Sequence, residues 1–177
     1  QETYEQRREA CIQTIQRTRQ IMATTLTAAT LTVTLTEAIS LNGYDQGSKN
    51  TLSISSINEV HKRILTVPTS EIEVLAMSTA NASGTFIEGD VRYIRITNLD
   101  DTNHVTLTFK NENDDEFAVK LDKGQSFIYN GDLSGGVVDT MDGIDGTGLT
   151  VSLGDLVNIT ALADTAACDL EVFVACV

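Results

Sequence analysis

The chain has 177 residues, 41% apolar and 21% charged, with no Trp, one Pro and a formal net charge of −13. That length can bury a self-sufficient core, and the balance of apolar to charged residues excludes an intrinsically disordered chain. So acidic a surface repels nucleic-acid phosphates, and no apolar run reaches the roughly 18 residues of a membrane-spanning helix, so neither nucleic acid nor membrane is an expected partner.

Residues 1–21 differ in character from the rest. They hold four Arg and three Glu, a net of +1 that leaves −14 on the remainder, and Tyr4, Arg8, Cys11, Ile12 and Ile15 fall at helical spacing. Met22 reads as a fresh protein start, with 1–21 as sequence lying upstream of it. The rival reading is a short amphipathic arm that docks on a neighbouring subunit. On either reading the leader is helical or frayed, and residues 22–177 form one β domain.

From there the pattern has a period of two. Leu31, Val33 and Leu35 alternate with Thr30, Thr32, Thr34 and Thr36, which predicts a strand with a Thr-coated wet face. Asn42-Gly43 and Gln46-Gly47 are breaks. Leu52 and Ile54 begin a second strand, Ile57 to Val67 continues as one or two more, and Pro68 closes it. Ile72 and Val74 alternate with Glu71 and Glu73, and a loop over Asn81–Gly89 follows. Val91–Asp132 then carries four alternating runs, with Ile94 and Ile96, then Val105, Leu107 and Phe109, then Phe117, Val119 and Leu121, then Phe127 and Tyr129. They read as a meander with one face buried and one wet. A Gly-rich connection over 131–148 leads to Leu149–Leu153, then to strands around Val157–Ala161 and Leu170–Val174. Many short strands with regular turn signals predict an antiparallel β-sandwich, jelly-roll-like, and no long helical pattern supports a parallel α/β sheet.

Two phrases of this central stretch, Tyr93-Ile-Arg-Ile-Thr-Asn-Leu99 and Val119-Lys-Leu-Asp-Lys-Gly-Gln-Ser-Phe127, resemble small virion structural proteins of tailed bacteriophages, marine ones especially. The resemblance spans residues 91–130 and supplies no catalytic residues. It implies an all-β virion component, assembled in the bacterial host cytoplasm, whose partners are other virion subunits and copies of itself. An acidic surface places such a protein on the capsid exterior as head decoration. The alternatives are a tail tube, baseplate or receptor-binding accessory protein, or a carbohydrate-binding module. Against the last stands the scarcity of rings that could stack on sugars.

Two clusters merit weighing as sites. Asp139, Asp142 and Asp145 recur every third residue among glycines, a candidate calcium loop, because calcium takes six to eight oxygen ligands. The spacing does not match an EF-hand, and a solvated acidic loop is the favoured explanation; no other cofactor is expected. His61-Lys62-Arg63 joins a histidine to an adjacent basic pair in an acidic chain, a candidate subunit or small-anion contact. Cys11, Cys168 and Cys176 lack zinc or redox spacing, and Cys168 and Cys176 lie too far apart along one strand to bridge. No Ser or Cys sits in a nucleophile context, and nothing pairs the many carboxylates, so the chain does not read as an enzyme.

Overall fold

The computed structural model describes residues 26–142 and 153–177. The leader 1–21, Met22, Cys11, Asp145 and the Leu149–Val151 part of an expected strand lie outside the described residues. The described elements are all strands. They are β1 (Ala29–Glu37), β2 (Ser40–Leu41), β3 (Tyr44–Asp45), β4 (Ser48–Ile57), β5 (Glu59–Val67), β6 (Ile72–Ser78), β7 (Phe86–Ile87), β8 (Val91–Asn98), β9 (Val105–Asn111), β10 (Glu116–Leu121), β11 (Ser126–Asn130), β12 (Leu156–Ala163) and β13 (Cys168–Cys176).

Two sheets face one another across one apolar core. One has the order β11-β8-β13-β5 and the other β10-β9-β12-β6-β7. The chain reaches this order as folded hairpins. β8 pairs with β11 in the first sheet while β9 pairs with β10 in the second, so β8–β11 is a long hairpin bent over the core. β12 inserts between β6 and β9, and β13 between β5 and β8, all antiparallel. This is the eight-stranded jelly roll, with the short β7 added in parallel beside β6.

The expected single-sheet meander over Val91–Asp132 therefore does not form. Four consecutive strands in one sheet would leave their apolar faces on one side with nothing to cover them. Dividing them two and two sets Ile94, Ile96, Phe127 and Tyr129 against Leu107, Phe109, Phe117 and Val119. Phe109 is fully buried where the halves meet. Its ring stacks on Phe117 at 4.7 Å and meets Phe127 at 5.0 Å and Tyr129 at 5.7 Å. Such ring pairs add about 0.5–1.5 kcal/mol each beyond the area they bury.

The expected wet face of β8 is covered as well. β1 and β4 form a separate two-stranded ribbon, in which Leu31, Val33, Leu52 and Ile54 pack on Tyr93, Ile128, Phe173 and Ala175 from the outside of the first sheet. Leu31 pairs with Ile54 but Ala29 with Ile57, so β4 carries one extra residue there. Ser56 takes a φ of 64° at this bulge. The extra residue reverses the alternation, so that Ile54 and Ile57 are both buried in spite of their odd spacing. At the far end Asn42 and Gly43, with φ of 53° and 84°, make the two-residue turn of the β2–β3 hairpin. Where the sequence suggested a break, the ribbon has a tip.

Buried amides close the strand ends. Asn98 Nδ2 donates to the carbonyls of Asn103 (2.9 Å) and Leu121 (3.2 Å), and its Oδ1 accepts from the N–H of Asp100 at 3.0 Å. Asn111 Oδ1 accepts from the N–H groups of Asn113 and Asp115, both at 2.9 Å, which fixes the β9–β10 turn where Asp114 has a φ of 65°. The Asn111–Glu116 acidic run thus serves as turn geometry.

Phe109→Ala is expected to lower the unfolding free energy by about 3–5 kcal/mol, a large part of the roughly 5–15 kcal/mol of an ordinary domain. Chemical denaturation measures this, and a loss below about 1 kcal/mol would remove Phe109 from the centre of the core.

Candidate functional site

Strand alternation splits the His61-Lys62-Arg63 triplet. Lys62 points to the outer face, where Nζ lies 2.7 Å from Glu171 Oε2, and Glu171 Oε1 also takes Arg95 Nη2 at 2.6 Å. Arg95 in turn donates to Thr97 Oγ1 at 2.6 Å and lies 6.0 Å from the centre of the Phe173 ring. The hydrogen bonds from Lys62 and then Arg95 hold the Glu171 carboxyl below its ordinary pKa. This contribution to stability is present above the usual carboxylate range and is lost as pH falls through the lowered value.

His61 and Arg63 share the opposite face, at the open side of the sandwich. Arg63 Nη2 donates to the Val74 carbonyl, tying β5 to β6 across the gap between the sheets. The His61 ring meets the edge of Phe86 with centroids 5.7 Å apart. With Glu59, Leu75 and Thr85 they line a cleft of about 260 Å³. It mixes one cation, one carboxylate and an imidazole, so it offers no net positive field to an anion.

The acidic loop lies at one end of the sandwich. The Asp139 N–H donates to Asp155 Oδ1 at 2.8 Å, with Asp139 at a φ of 51°. Asp142 follows the isolated bridge between Met141 and Gly154, and Asp145 is outside the described residues. Among the described residues no three His, Cys, Asp or Glu side chains are grouped to hold a metal ion.

Three carboxylates that the sequence reading did not connect come together at that end. The Glu88 carbonyl accepts from the Val137 N–H at 2.9 Å, and the Glu112 N–H donates to the Asp155 carbonyl at 3.0 Å. Glu88 itself is buried. Burial first, then the charges of Asp155 and Glu112, raise its pKa above the ordinary 4.5. The three residues come from separate loops, so no local motif could have revealed them. The cysteines behave as small core residues: Cys168 and Cys176 are free and buried, and burial, aided by Glu59 and Asp90, pushes the Cys176 thiol up to about 12.

The other feature missed in the sequence is the ribbon tip. Ile39, Leu41 and Tyr44 stand 56%, 60% and 74% exposed on the β2–β3 hairpin and its approach. Alternation marks Leu41 and Tyr44 as apolar, but it cannot show that nothing covers them.

Glu88 binds its proton more tightly folded than unfolded, so it withdraws stability as pH rises from 4.5 through its raised value. Glu88→Gln is therefore expected to melt higher than the parent at pH 7, with the gap closing below pH 4.5. Melting curves across that range check the sign, and a constant gap would refute it. A chelator is expected to leave the melting temperature unchanged; a fall of several degrees would establish a bound cation in the acidic loop.

No protein-family model matches the chain, and no curated protein matches it. One solved structure, described under the words "Bacillus endospore appendages form a novel family of disulfide-linked pili", aligns at 12% identity with a TM-score of 0.38. It covers 67% of this chain and 86% of that one. A likeness at that level carries no argument about family or function.

Proposed function

We propose that this chain is a structural subunit that works by assembly, as a virion structural protein of a tailed phage on the capsid exterior. The observation that carries the reading is the apolar ribbon tip. Ile39, Leu41 and Tyr44 project from a chain of net charge −13, and exposed apolar side chains gathered on a projecting element are the mark of a protein contact. The rigid two-sheet body suits a cap on a shell, and its acidity keeps it away from a packaged genome. The resemblance carried by β8–β11 supports a virion component, and the finer assignment to head decoration draws on small size, acidity and the compact β fold.

A carbohydrate-binding module is less well supported. Among the described Phe and Tyr residues Tyr44 alone is exposed, and a single ring is a poor platform for a sugar chain.

Immunogold labelling with an antibody to this chain, on particles from a culture that produces it, tests the proposal. Label on heads is expected. Label on tails would replace the decoration role with a tube, baseplate or receptor-binding accessory role, and particles free of the protein would overturn the virion reading. The combined change Ile39→Ser, Leu41→Ser and Tyr44→Ser is expected to abolish incorporation. Exposed positions of this kind cost within about 0.5 kcal/mol each, so the melting temperature should hold.

A further inference from the structure

The free strand edges of this fold are not alike. β5 is guarded by Glu59, Lys62 and Arg63, β10 by Glu116 and Lys120, and β4 by Lys49 and its bulge at Ser56. β11 is five residues long and β7 two. Charge, bulges and shortness are the usual means by which an edge is kept from pairing with another chain. β1 has none of these along Ala29–Thr36. Its nine-residue strand is hydrogen-bonded to β4 on one side, has no strand on the other among the described residues, and carries no charge before Glu37.

The same strand is a palindrome. Thr30-Leu-Thr-Val-Thr-Leu-Thr36 reads identically in both directions about Val33. Antiparallel pairing of two copies about a two-fold axis through Val33 sets Leu31 opposite the partner's Leu35 and Thr32 opposite the partner's Thr34. Every apolar side chain then stays on the inner face and every Thr on the outer face. An axis passing between two residues would put Leu opposite Thr and send the two apolar rows to opposite faces. Beneath this edge runs an open groove of about 390 Å³, where Leu31, Val33, Leu35, Ile128 and Phe173 make up most of the apolar lining and Arg95, paired with Glu171, is the one charged residue among those described. Leu35 is 49% exposed there.

We infer that β1 is the contact of a symmetric dimer, in which two copies of this chain pair β1 edge to edge about Val33 into a four-stranded ribbon, β4-β1-β1-β4. Charge favours this place over the rest of the surface. A two-fold contact sets each surface against itself, so a chain of net charge −13 is least repelled along a neutral strip. Paired Thr on the outer face and paired Leu and Val on the inner face are each favourable cross-strand neighbours. The partner's apolar row also extends over the groove and covers Leu35. The inference rests on the reading that this chain self-assembles, and it stands apart from the virion assignment.

Sedimentation of the full-length chain tests it, using exposed positions that leave the core alone. The parent is expected to be an even-numbered oligomer. Thr32→Lys with Thr34→Lys places like charges opposite each other twice across the axis and should halve the mass or reduce it to the protomer. Thr32→Lys with Thr34→Glu places opposite charges across the same axis and should restore the parental mass. That second variant guards against simple misfolding, since both changes sit at the same two positions. An oligomer of unchanged mass in the double-lysine variant would overturn the β1 contact and leave the self-assembly reading standing. A monomeric parent would overturn both.

Discussion

The structure depends on a single packing constraint at Phe109. Its ring is shared by β9, β10 and β11, stacked on Phe117 from its own sheet and closed over by Phe127 and Tyr129 from the other. Rings from opposite sheets meet only if the chain between β8 and β11 folds across the core. A flat arrangement would leave Phe109 half in water. Once that hairpin is bent, β8 and β9 each present a free edge at matching height, and β13 and β12 fill them. Burial of one aromatic cluster and completion of both sheets are therefore parts of one arrangement.

The second tier is the ribbon. Outward-facing Tyr93, Phe173 and Ala175 make the outer surface of the β8–β13 pair apolar, and β1 with β4 covers it. A ribbon of two strands has little core of its own and holds its shape by lying on that surface. It therefore keeps exposed edges and an exposed tip, the properties on which the assembly reading draws. The jelly roll supplies rigidity, and the ribbon supplies the surface left over for contact.

Charge is distributed to the same end. The Lys62–Glu171–Arg95 group lies on the outer face of the first sheet, beside the ribbon. Ion pairs at a surface contribute modestly to stability, and here a half-buried Glu171 holds two cations on one face of an acidic body. At the opposite extreme Glu88 is buried near two further carboxylates, a local cost to folding at neutral pH. The surrounding hydrogen bonds, from Val137 to the Glu88 carbonyl and from Asp139 to Asp155, hold the loops together around it.

Period-two alternation along the chain was enough to place most strands and to name their core faces. Leu31, Val74, Ile94, Leu107, Phe109 and Val172 all fall where alternation puts them, because a pleated strand offers no other way to bury one row of side chains. The turns at Asn42-Gly43 and Asn111–Glu116 were legible too, since those residue types tolerate left-handed backbone. What alternation cannot specify is the neighbour of a strand. It marks a face as buried without saying which sheet covers it, so the division of β8–β11 between two sheets was decided by tertiary packing. So were the cover over Tyr93 and the gathering of Glu88, Glu112 and Asp155. Each is a contact between residues distant in sequence, set by how two layers close on one another rather than by any local pattern.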